Sequence, residues 1–197
     1  MIASLFDLFS SITDGDRAAV DEQLATTPSL VTLGLSRADE CFLERAGAQI
    51  YEGDTALHVA AFSHDATIAR LLLTVGSDVR ARNRRGAEPL HSATMGGPGR
   101  ATWDSLRQQE VIVCLVEAGA AIDARASGGV TPLHRAVRNR CAGAVETLLR
   151  LGADPRLRND SGSTAADLAR WTTGRPGSGS AAARAQQQII SELLSNA

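Results

Sequence analysis

Lysine is missing from this sequence: all 20 basic residues among its 197 positions are arginine. We assign that to the coding bias of an alanine- and arginine-rich genome and read no function into it. No run approaches the roughly eighteen apolar residues that a membrane-crossing helix needs. The opening MIASLFDLFSSITDGD has no basic flank and carries Asp7 inside its short apolar run, which argues against a secretory signal. Cysteine is scarce. Cys41, Cys114 and Cys141 form an odd set without CxxC spacing, which excludes a disulfide framework and a structural zinc site and fits a reducing cytoplasm. HExxH, GxSxG and Walker sequences are absent too.

What is there suits a globular chain, with 44% hydrophobic and 21% charged residues, and one domain is the default count for this length. The net charge of −2 hides an asymmetry: residues 1–54 hold ten acids against three arginines, and residues 55–197 hold twelve acids against seventeen arginines.

The sequence repeats itself. GDTALHVAA begins at Gly53, GAEPLHSAT at Gly86, GVTPLHRAV at Gly129 and GSTAADLAR at Gly162, with offsets of 33, 43 and 33. A second motif keeps the same frame: LLLTVGSDVRARN, CLVEAGAAIDARA and LLRLGADPRLRN place glycines at Gly76, Gly119 and Gly152. A fixed period of this size is the signature of stacked units, each of which buries its apolar face against its neighbours.

These residues resemble the ankyrin repeat, whose period is about 33 and whose signature is TPLH, small residues, then a helix ending in LL and a glycine. The resemblance implies an all-α solenoid of helix-turn-helix units with short hairpin turns between repeats, in the style of a small bacterial ankyrin protein. The expected organisation is an N-terminal capping helix pair plus an extended finger (1–52), repeat 1 (53–85), repeat 2 with an inserted loop (86–128), repeat 3 (129–161) and a C-terminal capping repeat with a Gly-rich insert (162–197).

The residues support this independently. Thr55, Thr131 and Thr164 stand where a helix N-cap is wanted, and Pro89 and Pro132 at the next position lose nothing by lacking an amide proton. Ala60, Ala93, Ala136 and Ala169 recur where helices must approach closely. Leu57, Leu90 and Leu133 supply a buried face, and Leu72, Leu73, Leu115, Val116, Leu148, Leu149, Leu193 and Leu194 a second one. Gly76, Gly119 and Gly152 are expected to end the second helices. In the N-terminal unit Leu5, Phe6, Leu8, Phe9 and Ile12 are expected on one helix, with Val20 and Leu24 on the next. Thr32–Glu52 reads as an extended finger or a short extra helix. The family's inter-helix glycine is replaced by His64 and Arg140, so those turns are expected to be strained.

Several residues invite chemistry. His58, His91 and His134 recur once per repeat, but helices stacked roughly 8 to 10 Å apart cannot bring them to one ion, so hydrogen bonding across repeat junctions is the expected role. Ser63, His64 and Asp65 are consecutive and cannot converge as a triad. Gly174–Ser180, leading into a helix near Ala181, could hold an anion on its amides, though a surface loop is the simpler reading. Trp103 and Trp171 are expected to anchor the two inserts. Cys114 should be a core residue, and Cys41 and Cys141 partly exposed. No metal, cofactor or catalytic residue is expected.

The candidate binding residues are arginines. Arg82, Arg125 and Arg158 occupy one repeat position at the tips between repeats, Arg80 and Arg156 match each other, Arg84 and Arg85 extend the first tip, and Arg135 and Arg138 come from the inner helix of repeat 3. A ladder of like charge on the side that the family presents to partners points to a protein with an acidic surface, bound by a monomer without enzymatic activity. A nucleic acid or other polyanion is the second reading. It is disfavoured by 4% aromatic residues and a pI near 6.1, because single-strand binders combine charge with stacking platforms.

Overall fold

The computed structural model describes residues 4–44, 47–98, 103–173 and 180–197, with only the backbone at 171–173. The chain opens with α1 (Leu5–Asp14) and α2 (Arg17–Thr26). Ser4 starts α1 through a reciprocal cap, its hydroxyl accepting from the Asp7 amide while the Asp7 carboxylate accepts from the Ser4 amide. Leu8, Phe9 and Ile12 are buried, together with Val20 and Leu24 of α2. Phe6 is 51% exposed. Residues 5, 8, 9 and 12 form the apolar stripe of α1, and position 6 lies about 100° around the helix from position 5.

The finger is an antiparallel β-hairpin of β1 (Cys41–Leu43) and β2 (Ala48–Ile50), in which Phe42 faces Gln49 across the ladder. Leu43, Ala48 and Ile50 point into the protein and Phe42 points out, as the two-residue period of a strand requires.

Eight helices follow in two rows. The inner row is α3 (Ala56–Phe62), α5 (Pro89–Ala93), α7 (Pro132–Arg138) and α9 (Ala165–Thr173). The outer row is α4 (Ala66–Thr74), α6 (Ser105–Glu117), α8 (Ala142–Arg150) and α10 (Ala181–Ser195). Each helix packs on the next of its own row, α1 joins the inner row by packing on α3, and each inner helix packs on the outer helix that follows it. Leu57, Leu90 and Leu133 and the four in-register alanines are buried between inner helices, while Leu72, Ile112, Leu115, Leu148 and Ile190 fill the outer row. Full burial of one such leucine contributes roughly 1.5 to 3 kcal/mol.

The junctions explain the TPLH signature. His58, His91 and His134 each accept a bond at Nδ1 from the amide of the N-cap residue, Thr55, Glu88 and Thr131. The ring is therefore neutral with its proton on Nε2, and that nitrogen donates to the carbonyl of Ala87 (3.0 Å), Val130 (3.1 Å) and Ser163 (3.0 Å) in the following repeat. Burial disfavours the charged form in all three, and His91 is pushed down to about 3. In the last unit Asp167 takes the place of the histidine and accepts from the Thr164 amide. Gly53 makes a further junction contact: a Cβ there would stand 2.9 Å from Asn83 Cα, and its φ is +83°.

Gly76, Gly119 and Gly152 follow α4, α6 and α8 in the left-handed region, with φ of 101°, 94° and 100°. His64 and Arg140 adopt the same hand, φ 54° and 58°, so the expected strain is present. Cys114 is a core residue, but Cys141, expected to be partly exposed, is fully buried. It starts α8 beneath the loop after α5, its thiol directed at the Gly96 carbonyl, and burial pushes that thiol up to about 12. Trp103 anchors its insert by donating from the indole to Gln108 Oε1 at 3.1 Å. Gln108 in turn donates to the carbonyls of Ala93 and Met95. The side chain of Trp171 and the loop at 174–179 lie outside the described residues.

Candidate partner-binding site

The arginines divide into two sets. At the tips, most are engaged within the chain. Arg82 donates through Nε and Nη2 to Glu88 Oε1, at 3.0 and 2.9 Å. Glu88 stands where the flanking repeats carry Thr55 and Thr131, and it is only 2% exposed, with Oε2 lacking a hydrogen-bond partner. Arg125 reaches the Arg158 carbonyl at 3.0 Å and Asp160 at 3.3 Å. Arg158 donates to the Gly162 carbonyl and lies 3.7 Å from Asp167. Arg80 donates to the Gly119 carbonyl, closing the C-terminal end of α6. The in-register arginines thus link each tip to the repeat that follows, and acids partly offset their charge. Arg156 makes no side-chain hydrogen bond or ion pair among the described residues.

Arg84 and Arg85 hold the hairpin to the first tip. Arg84 forms a two-point ion pair with Glu40, just before β1, which holds the Glu40 carboxyl below its usual range. Tyr51, just after β2, lies beneath both guanidinium groups, 5.0 and 5.1 Å from its ring centroid. Its hydroxyl accepts from Arg85 Nη1 at 3.1 Å. Such cation–π contacts are worth about 0.5 to 1 kcal/mol each where exposed.

The second set lies on the inner-helix face. A cavity of about 530 Å³ is bounded by β2, α3, α7 and the loop after α5, with Arg135, Arg138, Asn139, Asp54 and Met95 in its wall. Arg135 is half-buried and donates to the His91 carbonyl at 3.3 Å. Burial first, then the nearby Arg85 and Arg138, push it down to about 10. Arg138, one turn on, is exposed and makes no hydrogen bond or ion pair among the described residues. Asp54, the acid of the wall, has both oxygens occupied, by Asn83 Nδ2 (2.8 Å) and by the Tyr51 amide (2.7 Å).

Sequence reasoning named Arg85, Arg135 and Arg138 but missed the cavity, because its outer wall is a hairpin that no repeat motif announces. The visible signal was the extra length of Thr32–Glu52, read as an extended finger or a short extra helix. Ser63, His64 and Asp65 diverge: Asp65 caps the Ile68 amide and His64 bonds to the Ala93 carbonyl. Among the described residues no group of three or more His, Cys, Asp or Glu side chains is placed to hold a metal, and no helix is long and apolar enough to cross a membrane.

Comparison with known proteins places this geometry. A family model described as ankyrin repeat matches residues 52–84, and one described as ankyrin repeats (many copies) matches residues 115–169. Ankyrin repeat and SOCS box protein 16 from Homo sapiens is 38% identical over 168 residues, 80% of this chain and 36% of that protein. Its Mus musculus counterpart is 42% identical over 118 residues, 58% of this chain and 25% of that protein. Neurogenic locus notch homolog protein 2 from Homo sapiens is 31% identical over 165 residues, 84% of this chain but 6% of that protein. The chain therefore spans about a third or less of the length of these relatives. They are animal proteins and do not speak to the bacterial style expected from composition.

Proposed function

The chain belongs to the ankyrin repeat family, whose repeats are generally protein–protein interaction modules, and from that premise we propose that it is a non-enzymatic module that docks a partner protein of acidic surface on its inner-helix face. The observation that carries this is the guanidinium cluster of Arg85, Arg135 and Arg138 beside a cavity bounded by successive inner helices and β2. The tips carrying Arg80, Arg82, Arg84, Arg125, Arg156 and Arg158 form the margin of that surface. A rigid stack of similar units suits such docking, because each repeat offers the partner a comparable strip. In this reading units 53–85, 86–128 and 129–161 are the repeats between end units 1–52 and 162–197. We read the chain as a monomer, and the odd cysteine set without CxxC spacing supports a reducing cytoplasm.

A polyanion reading is less well supported, because four of the tip arginines already have acidic partners. Tyr51, beside the first tip, already stacks with Arg84 and Arg85, which competes with stacking on a base.

The test is capture from native lysate with wild-type bait and an Arg125→Glu, Arg156→Glu, Arg158→Glu bait of matched melting temperature. The partner's recovery should fall sharply with the variant, and a mixed-sequence oligonucleotide should bind neither bait at moderate salt. Equal recovery of the same partner by both baits would overturn the role of the tips. Salt-sensitive oligonucleotide binding lost in the variant would favour the polyanion reading.

A further inference from the structure

We propose that the cavity between β2 and the inner helices is a carboxylate-binding pocket, in which Arg135 and Arg138, with Arg85 at the rim, take acidic side chains from an extended segment of the partner. The proposal rests on the partner-binding reading and gives it a location and a ligand chemistry.

The charges are unevenly matched across the molecule. Arg82, Arg84, Arg125 and Arg158 each have an acid of the same chain within ion-pair distance. Arg85, Arg135 and Arg138 have none among the described residues, although they lie near enough to one another for Arg85 and Arg138 to make the charge on Arg135 costlier. The carboxylate of the wall, Asp54, is held by Asn83 and by the Tyr51 amide and offsets only part of the charge on Arg135. His58, also in the wall, is neutral: its Nδ1 accepts from the Thr55 amide and burial opposes its protonation. Among the described residues the wall therefore carries excess positive charge, of which the half-buried Arg135 is the part least screened by water, and such a group gains most from a hydrogen-bonded anion.

The shape and the backbone point to a peptide. A recess of about 530 Å³ falls within the range of ligand pockets, roughly 300 to 1,000 Å³. β2, and not β1, lines it, and among the described residues β2 has a single strand neighbour. Its second edge can pair with an added extended chain. Planar guanidinium forks match carboxylates at two points. Two or three guanidinium groups against one carboxylate leave one or two positive charges for acidic residues of the segment to meet.

The test uses fluorescein-labelled hexaglutamate as probe, with hexaglutamine as control, read by anisotropy at constant ionic strength. Saturable binding of hexaglutamate, weakened about tenfold or more by Arg135→Gln with Arg138→Gln and less than about twofold by Arg150→Gln at the exposed end of α8, is the expected result. Because Arg135 is half-buried, the exposed Arg138→Gln alone should lower affinity in a protein of unchanged melting temperature. In wild-type protein the Arg135 side-chain Nε–Hε resonance should move with hexaglutamate and stay with hexaglutamine. Absence of saturable binding, equal loss in the Arg150→Gln control, or displacement of the peptide by inorganic phosphate at the peptide's own concentration would overturn the proposal. Such a failure, with partner capture still lost in the tip variant, would leave the interaction module standing and remove only the pocket.

Discussion

Glu88 shows how one substitution redirects a repeat. The neighbouring repeats place a threonine at this N-cap, and Thr131 Oγ1 there takes the His134 ring at 2.8 Å. Glu88 instead sets a carboxylate under the tip, and Arg82 is drawn down to it. Sequence reading put Arg82 on a ladder for partners because the recurrence of arginine was visible and the burial of Glu88 was not. Arg82→Ala should therefore cost about 2 kcal/mol by leaving a buried carboxylate unpaired, well above the small loss expected for Arg125→Ala, whose pair with Asp160 is exposed. Adding Glu88→Thr should restore most of that stability. Urea melts of the single and double variants measure both, and an Arg82→Ala loss that Glu88→Thr leaves in place would show that Arg82 acts through something else. The junction histidines make a second prediction. His91 is neutral in the fold and is pushed down to about 3, whereas an unfolded histidine titrates near 6.5. The unfolded chain thus binds the extra proton first, and stability is lost as pH falls from about 6.5 toward 3. Between pH 7 and pH 5 the His91 contribution should fall by about 2 kcal/mol, with His58 and His134 adding in the same direction. Equal urea midpoints at the two pH values would contradict this.

At the scale of elements, the helices were legible because their signals are local and repeated. A threonine or proline at the cap, alanine and leucine in register and a terminal glycine each have one physical reason and recur several times. The hairpin was legible only as something extended, since strands of three residues carry too little alternation to separate them from a loop. Cys141 was misplaced because its burial comes from the loop after α5, far away in sequence. The last helix illustrates what a row of helices requires at its end. α10 packs on α8 and α9, buries Ile190 and lets Gln187 donate to the Ala169 carbonyl at 3.0 Å. Deletion from Ala181 onward would uncover that layer. The truncated protein should melt at a clearly lower temperature and lose solubility, and an unchanged melting temperature by circular dichroism would refute the role of α10 as a cap.

At the scale of the whole molecule, two helix rows present two different surfaces. The outer row offers α4, α6, α8 and α10 without any of the nine candidate arginines, while the inner side gathers the hairpin, the cavity and Arg85, Arg135 and Arg138. That side was anticipated from the repeat frame, because arginines at one repeat position must share one flank. The recess was not, because it depends on a hairpin packing across helices distant in sequence. The central claim is therefore a claim about a face. Hydrogen–deuterium exchange of the chain, free and saturated with its captured partner, tests it most directly. Protection should concentrate in β2, the segment from Tyr51 to Asp54, the loop after α5 and the tips that carry Arg85, Arg125 and Arg158, with α4, α6 and α8 unchanged. Protection confined to the outer helices, with β2 and those tips exchanging as in the free protein, would contradict the account.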